Sequence, residues 1–291
     1  MNSSVILKEL MSLLPSLPKY HSPGGELQPF LKKVARREIE SMFSSPKAGP
    51  VDFVPFGKLW FPYHKMGAVD TLNLFDIDEL IIFSFYWANR RHYKKVVDIG
   101  ANLGLHSILL SRCGYTVRSF EPDPWHFKIL TKNLGMNKCF NVTPYNAAVS
   151  RESGTLEFIR VLGNTTGSHL AGAKSKPYGK LEKFPVKVEA FPALVSWADL
   201  VKIDAEGHEK EILLSTEKKH WRKTDAMVEI QNAENAKAVF KHFNKLGVNL
   251  FSQKINWGMV KELKDMPVGY KEGSLFISSK SKMDWVRDNH I

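Results

Sequence analysis

The sequence has little cysteine and no long apolar run. Cys113 and Cys139 are its only two cysteines in 291 residues, one in a helical pattern and one in a loop. That usage suits a reducing compartment, and the spacing suggests no metal site. The most apolar stretch, "ELIIFSFYWANR", is too short for a membrane span and ends in charge. A signal peptide is not expected either. "MNSSVILKELMSLLPSLPKY" lacks a basic segment before its apolar residues and carries a glutamate among them, so it reads as an amphipathic helix. A cytoplasmic location is the expectation, and the Asn-x-Ser/Thr triplets at Asn2, Asn141 and Asn164 carry little weight as glycosylation sites. No internal repeat and no low-complexity segment is present.

Positive charge, by contrast, is in excess. The formal net charge of +11 favours anionic partners such as nucleic acid, acidic glycans, phospholipid surfaces or phosphorylated metabolites. The lysines are also spread widely enough for the excess to serve solubility alone. Hydrophobic residues make up 43% of the chain, an ordinary globular share, so a sizeable core can form.

The first ninety residues and the rest differ in rhythm. "ILKELMSLL" and "LQPFLKKVARREIESMF" read as helices split by the breaker "PKYHSPGG". "VDFVPFGKLWFPY" reads as a short aromatic hairpin around Gly57, with Trp60 and Phe61 as core residues, and "DIDELIIFSFYWANRR" as a helix capped by Asp76 or Asp78. From residue 95 strands alternate with helices: "KVVDIG", "YTVRSFEP", "NVTPYNAAVS", "ADLVKIDAEG" and "DAMVEIQ" are the strands. Such alternation indicates a parallel sheet covered on both faces. Two final strands, "VNLFSQKI" and "GSLFISSK", have no helix after the last, the pattern of a doubly wound sheet closed by an antiparallel strand. The expected division is an N-terminal extension of helices and a β-hairpin over residues 1–93, and an α/β domain over residues 94–291.

A nucleotide site is expected at the first strand-to-helix turn, "VVDIGANLG". Gly100 and Gly104 allow a ligand to approach the backbone closely. Glu121 stands about twenty residues beyond the turn, at the end of the next strand, where a carboxylate can accept both ribose hydroxyls. Asp98 at the strand end would repel a pyrophosphate but could hold a cationic amino group. A nucleoside with a cationic amino-acid tail and no phosphate describes S-adenosylmethionine; a nicotinamide dinucleotide is the second choice.

The ordered set "VVDIGANLGLHS", "FEPDP", "NAAVS", "LVKIDAEGHE" and "VEI" resembles the FkbM-type S-adenosylmethionine-dependent methyltransferases over roughly residues 95–232. The resemblance implies a Rossmann-like class I methyltransferase fold, with a seven-stranded, mostly parallel sheet whose last strand is antiparallel. It also implies methyl transfer, typically to a hydroxyl of a sugar or other small molecule. On it, Asp98, Gly100, Ala101, Asn102 and Gly104 would line the methionine part of the cofactor. Glu121, followed by Pro122, would hold the ribose, Asn146 and Ala147 would lie near the adenine, and Asp204 would border the cofactor as well.

For transfer to a hydroxyl, an enzyme must align the acceptor oxygen and remove its proton. Asp204 and Glu206 in "KIDAEGHE" and Glu229 in "VEI" end adjacent strands and are the candidate catalytic acids, with Glu209 close by. Acids that open a helix are also common as ordinary first-turn residues. Lys202 is expected to pair with a neighbouring acid. His208, whose pKa range suits a base, is a further candidate, though at a helix start it is expected to be exposed, and His106 is expected to be structural. Three acids are too generic to imply a metal, and none is assigned. The lysine-rich segment Lys174–Lys187 is expected to help form a lid favouring an anionic acceptor. Two further functions fit the sequence: an RNA methyltransferase, motivated by the charge but without a recognisable RNA-binding module, and a non-catalytic binding protein on the same scaffold.

Overall fold

The computed structural model describes residues 4–43, 49–173, 179–283 and 285. The chain opens with helix α1 (Val5–Leu13), capped by the Ser4 hydroxyl, which accepts the Leu7 N–H. Helix α2 (Gln28–Phe43) and the expected hairpin follow. Strands β1 (Val51–Asp52) and β2 (Lys58–Leu59) pair antiparallel, with Gly57 in the left-handed conformation between them. Helix α3 (Ile77–Ala88) starts at Asp76, whose carboxylate accepts the Ile77 N–H. Eight of the twelve residues of α3 are buried, among them the whole run Leu80–Tyr86.

The remaining elements, in chain order, build two sheets. They are β3 (Lys95–Ile99), α4 (Leu105–Arg112), β4 (Thr116–Phe120), α5 (Pro124–Met136), β5 (Val142–Tyr145), β6 (Ala148–Ser150), β7 (Gly154–Val161), β8 (His169–Leu170) and β9 (Leu181–Ala190). Then come α6 (Phe191–Trp197), β10 (Leu200–Ile203), α7 (Glu209–Leu213), β11 (Asp225–Val228), α8 (Ala233–Leu246), β12 (Asn249–Ser252), β13 (Gly258–Met259) and β14 (Leu275–Ser278).

The central sheet has the order β13-β12-β14-β11-β10-β3-β4-β5. Strands β3, β4, β5, β10 and β11 are mutually parallel, while β14 runs antiparallel between β11 and β12. The antiparallel last strand is thus internal. The expected seven strands become eight because the two-residue β13 pairs along the edge of β12. The chain proceeds outward from β3 to β5, then returns to β10 on the other side. That reversal opens a crevice at the carboxyl ends of β3 and β10.

One face of the sheet carries α4 and α5 together with the N-terminal helices, and Leu7, Ile39, Phe83, Leu109 and Phe276 share one core there. The other face carries α6, α7 and α8 over Val97, Val201, Phe191, Ile212 and Phe243. Val96, Val97 and Ile99 are buried. Each fully buried side chain of this kind contributes roughly 1.5–3 kcal/mol.

The segment "NVTPYNAAVS" divides rather than forming one strand. Pro144 is accommodated on the edge strand β5, and the chain breaks at Asn146 and Ala147 before β6 begins another sheet. That second sheet, of order β6-β9-β7-β8, is dominated by the long antiparallel pair β7 and β9.

Candidate active site

Strand β3 turns into α4 through Gly100–Gly104, and the geometry there is tight. Gly100 has φ 75°, and a Cβ on it would lie 1.8 Å from the Asp204 carbonyl oxygen. The ends of β3 and β10 therefore touch backbone to backbone, which only glycine permits. Asn102 is also left-handed, with φ 51°, a conformation asparagine tolerates. Asp98 is fully buried. Its Oδ2 accepts from Ser107 Oγ at 2.6 Å, and its Oδ1 lies 3.8 Å from Lys202 Nζ.

Glu121, just beyond β4, reaches back to this turn. Its Oε2 accepts the Asn102 N–H and its Oε1 the Asp123 N–H, both at 2.8 Å. Burial pushes its carboxyl up to about 8, in spite of those two donors. Asn146 Nδ2 donates to the carbonyls of Glu121 and Pro122, bracing the loop from behind.

The turn after β10 is built around Glu209, which is fully buried. Its Oε1 accepts the N–H groups of Gly207 and Ala205 at 2.8 and 3.3 Å, and its Oε2 accepts from Asn235 Nδ2 at 2.7 Å. This brace fixes a loop in which Glu206 is left-handed, with φ 52°. Burial first, then the charge of Asp204, raises the Glu209 carboxyl to about 7. Glu209 is therefore committed to the turn, while Asp204 and Glu206 face outward.

Lys202 lies beneath these acids. Its Nζ donates to the Gly100 carbonyl at 3.2 Å and stands 3.6 Å from Asp204 Oδ2. Burial opposes its charge, but Asp204, Asp98, Glu79 and Glu229 outweigh burial and hold the ammonium above the ordinary lysine range. Glu229, following β11, accepts from Gln231 Nε2 at 2.8 Å. Burial, then the charges of Asp204, Glu206 and Glu79, push its carboxyl well above the ordinary range, and Lys202 only partly opposes them.

A cavity of about 580 Å³ opens over these strand ends. Ile99, Phe120 and Ala147 supply an apolar wall, with Phe120 stacked on Tyr145 at 4.8 Å between ring centroids. The roof joins the N-terminal segment to the loop before β8. Ala68 N–H donates to the Gly163 carbonyl at 2.8 Å, and Thr165 N–H to the Met66 carbonyl at 3.1 Å. His126, whose pKa burial lowers to about 4, ties α5 to this loop through Thr165 Oγ1 at 3.0 Å. Arg160 on β7 grips Asp123 at the start of α5 with two hydrogen bonds, of 2.7 and 2.6 Å.

Seven carboxylates line the cavity: Asp76, Asp78 and Glu79 at the start of α3, Glu121 after β4, Asp204 and Glu206 after β10, and Glu229 after β11. Among the described residues no lysine or arginine lines it. A chamber of about 30 Å³ adjoins it, lined in part by Glu79, Asn102, His106, Lys202 and Asp204. That is room for about one water-sized group. Buried Oδ1 atoms of Asn102 and Asp204 have no hydrogen-bond partner among the described residues.

The structure gathers most of the residues named from the sequence. Gly100, Asn102, Glu121, Pro122, Ala147, Asp204, Glu206 and Glu229 line the cavity, and Ala101 lines the chamber. Asp98, Gly104 and Asn146 stand behind these walls: Asp98 on Ser107, Gly104 against Leu130, and Asn146 on the acidic loop. His208 is buried rather than exposed, its Nε2 2.8 Å from Ser150 Oγ, and burial lowers its pKa. Within the lysine-rich segment, residues 174–178 lie outside the described residues. Lys180, Lys183 and Lys187 are exposed and do not line the cavity; Lys183 pairs with Glu157 and Lys187 with Glu189. Glu79 was not anticipated. It comes from α3, where an acid in the first turn looks ordinary, and only the packing of α3 on α4 brings it to the site, 3.0 Å from His106 Nε2. His126, His169 and Tyr270 join the lining from equally distant parts of the chain.

Residues 98–248 match the methyltransferase FkbM domain. The chain is 27% identical over 159 residues to methyltransferase sdnD of Sordaria araneosa, covering 43% of this chain and 61% of that one. It is 28% identical over 159 residues to hexuronic acid methyltransferase AglP of Haloferax volcanii, covering 55% of this chain and 65% of that one. The chain thus spans less than two thirds of the length of these relatives. Among solved structures it is similar to a precorrin-6y C5,15-methyltransferase from Geobacter metallireducens, at 13% identity and a TM-score of 0.38, covering 69% of this chain and 87% of that one. A likeness that low carries no argument about the site.

Proposed function

The chain belongs to the FkbM methyltransferase family, and on that premise we propose that it is an S-adenosylmethionine-dependent O-methyltransferase acting on a hydroxyl of a sugar, glycan or other small molecule. The observation that carries this reading is the lining of the cavity, where carboxylates follow β4, β10 and β11 and no lysine or arginine among the described residues joins them in the wall. Such a wall suits ribose hydroxyls and an ammonium group and repels a pyrophosphate, so a nicotinamide dinucleotide fits poorly. The same charge disfavours an RNA acceptor.

The residues fit the cofactor group by group. Glu121 faces the cavity and can accept from the ribose hydroxyls. The Oδ1 atoms of Asn102 and Asp204, without a hydrogen-bond partner among the described residues, offer acceptors to an ammonium, and Phe120 and Ala147 give an apolar wall to a base. S-adenosylmethionine, when bound, supplies a methyl group on a positively charged sulfur that departs as a neutral thioether.

Glu229 is the base. Its carboxyl has a raised proton affinity, so its ionised form takes a hydroxyl proton more readily than an ordinary carboxylate. Glu229 would take the proton of the acceptor hydroxyl and so leave its oxygen nucleophilic toward that methyl group. Lys202 stands beside Asp204, beneath the roof that joins Met66 to Thr165.

Incubating the chain with labelled S-adenosylmethionine and a panel of glycans, nucleotides and RNA, with mass spectrometry of the products, tests the reading. Labelled sugar or glycan products support it. Failure of the chain to bind S-adenosylmethionine would end it.

A further inference from the structure

The edge of the central sheet opposite the cavity carries two exposed aromatic side chains. Phe140, two residues before β5, is 91% exposed, and Trp60, just after β2, is 41% exposed. A single exposed ring is ordinary, but here the backbone compels it. Asn137 and Asn141 pin the loop on either side of Phe140. The Asn137 side chain accepts the Trp60 N–H at 3.0 Å and donates to the Trp60 carbonyl at 2.7 Å. Asn141 Nδ2 donates to the carbonyls of Ser111 and Tyr115. Between these anchors Cys139 is buried, while Lys138, left-handed with φ 54°, and Phe140 stay outside. The bonds to Asn137 also set Trp60 and its hairpin beside this loop.

Basic side chains surround the two rings. Lys58 lies on β2, and Arg112 at the end of α4 donates to its carbonyl at 3.2 Å. Lys138 is on the loop itself. Arg91, Lys94 and Lys95 lead into the amino end of β3, which lies beside the amino ends of β4 and β5. All six are exposed, and none forms a salt bridge with another described residue. Asp52, opposite Lys58, and Asp199, which accepts the Lys94 and Lys95 N–H groups, offset part of this charge.

We propose that this edge docks on a membrane surface of anionic phospholipid, with Phe140 and Trp60 entering the headgroup layer and the six cations meeting the lipid anions. Aromatic rings favour that layer, and lysine and arginine near it are drawn to its negative potential. Two rings alone anchor weakly and cations alone are released by salt, so the contact needs both and is reversible. Single-stranded nucleic acid is gripped by rings set in a basic groove, and a ring nine-tenths exposed lies in no groove. The cavity opens at the carboxyl ends of the same strands, so docking leaves its mouth in the water phase. Such docking is independent of what the cavity does.

The test is sedimentation of the full chain with vesicles of phosphatidylcholine alone, or of phosphatidylcholine and phosphatidylserine in equal parts. Binding to the mixed vesicles is expected to be at least about tenfold stronger, and to fall steeply as salt rises. Phe140→Ser should weaken it by at least about threefold, and Lys58→Glu combined with Lys138→Glu by at least about tenfold. Lys183→Glu combined with Lys187→Glu, the same charge change on the second sheet, should alter it by less than about twofold. Equal binding to the two kinds of vesicle, equal losses from the two lysine pairs, or full binding by Phe140→Ser overturns docking at this edge. Binding of polyuridine in preference to the mixed vesicles also overturns it and gives the edge to RNA.

Discussion

The turn after β3 and the acid-bearing ends of β10 and β11 meet at the floor of one cavity, yet they use their side chains differently. In the first, Gly100 yields to the Asp204 carbonyl, Gly104 seats against Leu130, and Asp98 is spent on Ser107 and Lys202. Its conspicuous residues mostly shape the backbone. In the second, one acid, Glu209, is given to the architecture so that Asp204, Glu206 and Glu229 can face open space. The motif that stands out most in the sequence is largely a joint, and the acids gather next to it.

Substitutions can separate the two roles. The largest effect is expected for Glu229→Gln, which removes the base we propose and should lower kcat by roughly 10²–10⁴-fold while cofactor affinity stays nearly constant. A variant that turns over normally would transfer the role of base elsewhere. Next comes Gly100→Ala. Its Cβ would meet backbone at 1.8 Å, so stability in urea unfolding should drop by at least about 4 kcal/mol. A mild loss would mean that the two strand ends separate easily.

Glu121→Gln should weaken S-adenosylmethionine binding, measured by calorimetry, by about tenfold or more, as expected for a lost charged hydrogen bond. The same variant reports on pH. The Glu121 carboxyl, ordinarily near 4.5, titrates near 8 in the folded chain, so between those values only the folded state holds the proton. Its contribution to stability is complete below the lower value and is lost as pH rises through the higher one. The cofactor-free protein should therefore lose stability from mildly acidic to mildly alkaline pH, and less steeply in Glu121→Gln. The smallest effect is expected from Lys183→Ser combined with Lys187→Ser. Both are exposed, and stability should change by less than about 0.5 kcal/mol, with the acceptor KM unaltered. A large rise in KM would return the lysine segment to the acceptor site.

Local signals account for what the sequence discloses. Buried strands such as Lys95–Ile99 and capped helices such as α3 are written in runs of a few residues, and so is the succession of strand ends that carries Glu121, Asp204 and Glu229. What stays hidden depends on contacts across long stretches of chain. The second sheet arises because β7 finds β9, and nothing within "GTLEFIRV" names that partner. Glu79 resembles any acid that opens a helix until α3 packs on α4. Asp98 meets Lys202 only once β10 pairs with β3.

The brace at Glu209 has a consequence in time as well as in shape. Because Ala205 and Gly207 are already tied to that carboxylate, the loop carrying Asp204 and Glu206 has little conformational freedom to lose when a ligand arrives. Association is then governed by entry beneath the roof rather than by rearrangement of the acids. The amides of Ala205 and Gly207 should be among the slower loop positions to exchange with deuterated solvent, and equally slow whether the cavity is empty or filled.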